Sequence, residues 1–314
     1  MIGICYSNEA DPRERIDAPN RGLATGKSVF MTTCSPLQPV LQPRRFLANY
    51  SEDTPRHWCE GNAALTHILN SYTLLVPGNE GFFIRTLKQG LPSMDPEMRE
   101  LVMHFSHQEG QHGAGHLRFW QVLERQGYRI RGFQRKVDFF LYRLIERVTP
   151  FKLRLSFVAC IEHVNAYIGH EFLAQQRLRE ADPALRALFE WHFAEEIEHK
   201  SVAFDVLKRF APSYAVRLLG ALLVLPLFYF LSSLGTLYLL GQDKLLFRAG
   251  TWRALRDHLW RRDHMVRRTL THIVSYLRPG FHPSQLRDEH LAQIVFDRYS
   301  SPLSKLIEPI PRAA

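Results

Sequence analysis

Several common signatures are missing from this chain. Its four cysteines, Cys5, Cys34, Cys59 and Cys160, show no CxxC pair and no regular spacing. That excludes a disulfide framework, a zinc ribbon and a cysteine-held iron–sulfur cluster. No basic patch followed by an apolar run opens the sequence, so no secretory signal is expected and a reducing cytoplasm is the natural compartment. The glycines form no dinucleotide fingerprint. Strand signal is nearly absent between Trp58 and Phe210, which leaves helices to build the core.

What remains is ample material for a core. The 314 residues are 46% apolar, and 40 Lys and Arg face 31 Asp and Glu. This basic balance suits an anionic membrane surface, a nucleic acid or an acidic substrate without choosing among them. No stacking module or reading helix supports nucleic acid as a partner. Residues 1–50 hold Pro12, Pro19, Gly22 and a Pro-rich stretch from Pro36 to Pro43 without periodicity, and read as a poorly ordered arm.

The spacing predicts four long helices in residues 51–213. The first covers about Ala64–Gln89 and is broken or kinked at Pro77-Gly78. The second covers Pro96 to about Arg125 and stops at Gly127. A linker with a helical piece, Lys136–Arg147, ends at Pro150. The third helix then reaches about Glu180, and Asp182-Pro183 starts a fourth that continues to Phe210. Two short-turn hairpins joined by one long crossover give an all-α, ferritin-like four-helix bundle, with additional C-terminal helices in residues 214–314.

The chain contains two Glu-x-x-His segments, Glu109-Gly-Gln-His112 and Glu196-Ile-Glu-His199. At i,i+3 both side chains share a helix face and reach one ion. The other two helices each carry a glutamate in apolar company: Glu80 before Phe82-Phe83-Ile84, and Glu162 after Phe157-Val-Ala-Cys-Ile161. A buried glutamate without a partner is costly, and metal ligation accounts for both. Glu, Glu-x-x-His, Glu, Glu-x-x-His is the pattern with which a four-helix bundle holds two metal ions. His192, four residues before Glu196 on the same stripe, is a seventh candidate ligand. His116, one turn after His112, is expected to orient it or flank the site. Glu195 and Glu198 read as the solvated side of their helix. The four carboxylates balance two divalent ions. Two Fe ions suit the mixed carboxylate and imidazole donors best, with Mn second and Zn third.

The stretches Pro77-Gly-Asn-Glu80-Gly-Phe-Phe, His107-Gln-Glu109-Gly-Gln-His112, Ile161-Glu162-His163 and Glu195-Glu196-Ile-Glu-His199 resemble the predicted metal-dependent hydrolase family of the ferritin-like superfamily, over roughly residues 55 to 235. More distantly, the ligand order resembles that of the di-iron arylamine N-oxygenases, whose last element is His-x-x-x-Glu-x-x-His. That resemblance implies that His192, Glu196 and His199 act together with Glu80, Glu109, His112 and Glu162.

The expected function is a non-haem di-iron oxidoreductase (an oxygenase, hydroxylase or desaturase) using O2 on a small hydrophobic or aromatic substrate. The chain has no electron carrier of its own, so a separate electron donor is expected. A dinuclear metal-dependent hydrolase is the alternative, and an iron-binding or oxidative-stress protein the second.

Leu218–Gln242 is a run of 25 residues without a formal charge, long enough to span a bilayer or to pack internally. From Lys244 to Arg278, nine Lys or Arg accompany Asp257 and Asp263, interleaved with Trp252, Leu259 and Trp260. That fits an amphipathic element on an anionic lipid face or a solvated helix face. The C-terminal region is therefore expected to pack on the bundle or on a membrane. Attachment at the cytoplasmic face of the inner membrane and a homodimer both remain open. After Pro279-Gly280 the sequence reads as a mixed tail.

Overall fold

Polar signals set the limits of the helices. In a computed structural model, which describes residues 41–311, α1 (Ala63–Lys88) begins where the Asn62 side chain accepts from the amides of Ala64 and Leu65. Asp95 caps α2 (Pro96–Arg125) through the Met98 amide at 2.9 Å, with Pro96 at the first helical position. Gly127, at φ +88°, turns the chain away after it. Asp182 and Pro183 start α6 (Pro183–His199) in the same way.

The expected crossover is there, but more helical than its sequence suggests. It contains α3 (Arg131–Asp138), a π-helical segment (Phe139–Ile145) and a last turn, α4 (Glu146–Val148). α5 (Phe151–Ala174) then pairs with α6 as α1 pairs with α2, giving the two hairpins of a ferritin-like bundle. α8 (Tyr214–Gln242) lies along α1 and α5. The basic stretch forms α9 (Ala249–Arg256), continued through Asp257–Arg261, and α10 (Met265–Tyr276).

The structure differs from the sequence reading at five places. α1 runs unbroken through Pro77. Proline cannot donate to the Thr73 carbonyl one turn back, and the Trp120 indole N–H fills that place at 3.0 Å. The Gln134 amide donates to the next carbonyl, Leu74. Beside it, a Cβ on Gly78 would fall 2.5 Å from the Tyr142 ring, so only glycine admits that contact. Next, α5 ends at Ala174 rather than near Glu180, because the chain turns through Gln176 in the left-handed region, at φ +48°.

The fourth helix is interrupted at Lys200–Ser201 before α7 (Val202–Phe210), and the Lys200 ammonium is drawn aside to Asp288 and Glu289. The supposed tail contains α11 (Glu289–Ser300), which packs Ala292, Val295, Phe296 and Tyr299 inward against α6. It also supplies β2 (Ile307–Pro309), which pairs antiparallel with β1 (Arg44–Phe46). Residues 41–50, assigned from sequence to the arm, therefore belong to the folded unit: Phe46 is buried and stacks on Trp191 at 5.1 Å. The rest of that arm lies outside the described residues.

α6 is the centre of the core. Leu188, Phe189, Trp191 and Phe193 are fully buried on it, each such side chain worth roughly 1.5–3 kcal/mol. Where α5 crosses α6, Gly169 lies against the Phe193 carbonyl, and a Cβ there would come within 2.7 Å of it. α8 is long and apolar enough to cross a membrane by length and composition. One face packs inward through Ala221, Val224 and Phe228, while Leu222 and Phe230 are exposed.

Trp120→Phe removes the donor to a buried carbonyl and is expected to lower the unfolding free energy by about 1–3 kcal/mol. Pro77→Ala in that background restores a main-chain donor and should recover part of the loss. Urea unfolding at fixed metal content checks both, and a Trp120→Phe protein as stable as the parent would contradict the assignment.

Candidate metal centre

Each of the four bundle helices brings donors to one point. Glu80 comes from α1, Glu109 and His112 from α2, Glu162 from α5, and His192, Glu196 and His199 from α6. All seven are buried, none more than 1% exposed. They form two groups, Glu80–His112–His192–Glu196 and Glu109–Glu162–Glu196–His199. Within each group, one donor atom per residue lies within 4.8 Å of the others. Glu196 belongs to both, with Oε1 at 2.8 Å from His192 Nε2 and Oε2 at 3.3 Å from His199 Nε2. Glu109 also lies between them, Oε1 at 3.1 Å from His199 Nε2 and Oε2 at 3.7 Å from His112 Nδ1. The donors thus make two adjoining groups that share Glu196, with Glu109 beside both, an arrangement that would suit a pair of metal ions. All seven residues singled out from the sequence come together.

The donors fit metal ions on chemical grounds as well. Both carboxylate oxygens of Glu80, Glu109 and Glu162, and Nδ1 of His112, are buried without a well-formed hydrogen bond, although His199 Nε2 lies 3.1 Å from Glu109 and 3.2 Å from Glu162. So many orphaned acceptors in one dry pocket are rare in a folded protein. Burial, then Glu196 and Glu162, drives the Glu80 carboxyl well above its usual range. Burial and Glu196 push Glu162 up to about 7, against the pull of His199. Burial would raise Glu196 too, but hydrogen bonds from His192 and His199 hold it at about 2. Burial opposes a charge on His199, yet Glu162 and Glu196 outweigh it and raise its pKa. Without cations the site must hold protons in their place. Two divalent ions would neutralise four carboxylates and occupy the orphaned atoms.

A second layer fixes the ring orientations. His112 directs Nδ1 into the site while its Nε2–H donates to Glu195 Oε2 at 3.0 Å. Arg44 bonds Glu195 Oε1 at 3.1 Å and grips Glu198 through two bonds of 2.8 and 3.0 Å. Gln108 donates to Glu198 at 2.7 Å, and its Oε1 accepts from His199 Nδ1 at 3.1 Å. His192 Nδ1 meets His116 Nε2 at 2.8 Å, and His116 Nδ1 lies 3.0 Å from the Thr73 hydroxyl.

Glu195 and Glu198 are therefore not a solvated face. Glu195 is fully buried under His112, and Glu198 is mostly buried on Arg44. His116 orients His192 rather than His112. Arg44, Gln108 and Thr73 were not found from sequence, where nothing local marks them. His57, His67 and Asp243 form another group of possible donors, but both oxygens of Asp243 are already bonded, by Arg56, His57, His67 and Tyr128.

The chain matches the model of the predicted metal-dependent hydrolase family over residues 42–287 and belongs to that family. The match extends beyond the span resembled in sequence at both ends. No curated protein and no solved structure matches it. Buried donor clusters and family together make this a metal-dependent enzyme.

Arg44→Met should weaken metal binding by about 10–100-fold, the usual range for losing an outer partner of a ligand. Competition with a chromogenic chelator measures this, and an unchanged affinity would remove Arg44 from the site. The metal-free protein should also lose stability with rising pH. Glu162 and Glu195, raised by burial to about 7 and about 8, bind more protons folded than unfolded above their ordinary 4.5. Their contribution fades as pH climbs through those values. His112 and His116, lowered by burial, act oppositely only up to their ordinary 6.5. The melting midpoint should thus fall between pH 6.5 and pH 8 and return on adding Mn(II). A midpoint rising across that window would contradict this.

Proposed function

We propose that the protein is a non-haem di-iron oxidoreductase that uses O2 on a small apolar substrate, with electrons from a separate donor. The observation that carries this reading lies beside Glu80. There the centre adjoins a narrow void lined by Tyr72, Leu75, Val76, Asn79, Asn165 and Phe228, and Leu75, Asn79 and Phe228 also line a larger, mainly apolar cavity. Hydrolysis needs water delivered to the metal pair and a polar leaving group released from it. Oxidation of a C–H or N–H bond gains from a dry approach. The likeness of the ligand order to the di-iron arylamine N-oxygenases supports the same reading, and mixed carboxylate and imidazole donors favour iron, then manganese, over zinc.

Two iron ions bound here would supply the electrons and the coordination positions that O2 reduction requires. The chain's own residues set the conditions. Glu196 belongs to both donor groups and Glu109 lies beside both, so these two carboxylates would be within reach of either ion. His112, His192 and His199 are held by Glu195, His116 and Gln108, so each keeps one ring nitrogen directed inward. Tyr72, whose hydroxyl lies 3.4 Å from His192 Nε2, is kept a neutral phenol by burial and by the negative charge of Glu196, Glu80 and Glu162. It can donate a hydrogen bond at the substrate side without ionising.

The second reading is a dinuclear hydrolase. The family's description names that reaction, and it is the more direct inference from the family match. The two separate in one experiment. Protein loaded with Fe(II) without oxygen should take up O2 on mixing and oxidise both irons together, and Glu162→Gln should slow this at least tenfold. Ester or phosphoester turnover supported equally by Zn(II), with iron left ferrous in air, would favour the hydrolase.

A further inference from the structure

A cavity of about 290 Å³ lies between α1, the π-helical segment, the start of α5 and α8. Its size falls at the small end of ligand pockets. Leu75, Phe82, Phe157, Ile161 and Leu227 give it an apolar wall. Leu75, Asn79 and Phe228 line both this cavity and the narrow void at Glu80, so one end abuts the metal centre. Ile161, next to Glu162 in sequence, lies in the same wall.

Arg154 also lines the cavity, eight residues before Glu162, or about 12 Å along the helix. It is incompletely paired. Glu146 is taken by two bonds from Arg85, at 3.0 and 2.7 Å, and stays 4.0 Å from Arg154 Nη1. One Arg154 nitrogen donates to Gln89, but Nε is buried without a partner. Arg85, Glu146 and Arg154 together carry a charge of +1. A buried guanidinium donor left free in an apolar wall fits an anionic group brought by a ligand, because that ligand would satisfy both the hydrogen bond and the charge.

We propose that this cavity is the substrate site and that it takes a medium-chain monocarboxylate, its carboxylate on Arg154 and its alkyl chain directed toward Glu80. The proposal rests on the oxidative reading for the fate of the ligand but not for its binding. Arg154 is the one cation in the cavity lining, and the end near the metal centre offers only neutral polar groups such as Asn79, so a second carboxylate would lack a counter-charge there. A neutral chain would leave Arg154 Nε unsatisfied and bind less well.

Calorimetric titration of the metal-free, full-length protein with decanoate and with decan-1-ol tests this. Decanoate should bind one per chain and about tenfold more tightly than the alcohol, the value of one charge-assisted bond. Arg154→Gln should abolish that preference while leaving decanol affinity unchanged, and Leu227→Trp should weaken both by filling the cavity. Melting curves establish that each variant is folded, and Arg154→Gln alone decides the matter if Leu227→Trp is not. Equal affinities for acid and alcohol in the parent protein, or a preference that survives Arg154→Gln, would overturn the proposal. These isotherms need neither metal nor O2. A protein that binds decanoate but takes up no O2 would keep the site and lose the oxidative reading, and the converse would keep the reading and lose the site.

Discussion

Carboxylates cannot stay ionised in the dry middle of a helix bundle unless cations lie among them. The core helix Pro183–His199 faces that constraint most sharply. It is packed on all sides by aromatic and aliphatic residues yet carries His192, Glu195, Glu196 and His199 fully or almost fully buried. Three neighbouring helices add Glu80, Glu109 and Glu162, buried carboxylates with no well-formed hydrogen bond and only the histidines of the site itself beside them. The rest of the architecture follows from meeting this demand. Arg44, on a strand formed between the two ends of the described chain, neutralises the charges behind His112. Positive charge at the centre, whether carried by metal ions or by protons, has to answer the negative charge that the helices bring.

The parts of this arrangement legible in sequence are those set by local spacing. Glu109 with His112, and His192 with Glu196 and His199, fall at helical intervals, so their common faces could be read directly. Glu80 and Glu162 stood out because each interrupts an apolar run. The boundaries at Asp95, Gly127 and Asp182 were equally local. Contacts between distant segments were not legible. Pro77 reads as a break until Trp120 and Gln134 are seen to occupy the carbonyls around it. Glu195 reads as solvated because its partner, Arg44, lies 151 residues away. The break at Lys200 has no glycine or proline to announce it. α11 reads as a mixed tail because its inward residues, Ala292, Val295, Phe296 and Tyr299, fall in only twelve residues with charges between them.

Fold and metal donors do not by themselves choose a reaction. The same bundle could polarise water or reduce O2. The proposed oxidative reading leans on the surroundings of the centre, a mainly apolar cavity ending near Glu80 whose one lining cation, Arg154, has a free donor far from the metal donors. On that proposal, polar recognition and reaction are kept apart, with the substrate held by its head and acted on at a bond elsewhere.

The account depends first on the centre being dinuclear. Elemental analysis of the protein purified without added metal tests that directly. About two iron or manganese atoms per chain, both lost when Glu196 is replaced by alanine because that carboxylate lies between the two groups, is the predicted result. A single tightly bound zinc, or no bound metal in a protein whose seven donors are intact, would contradict it.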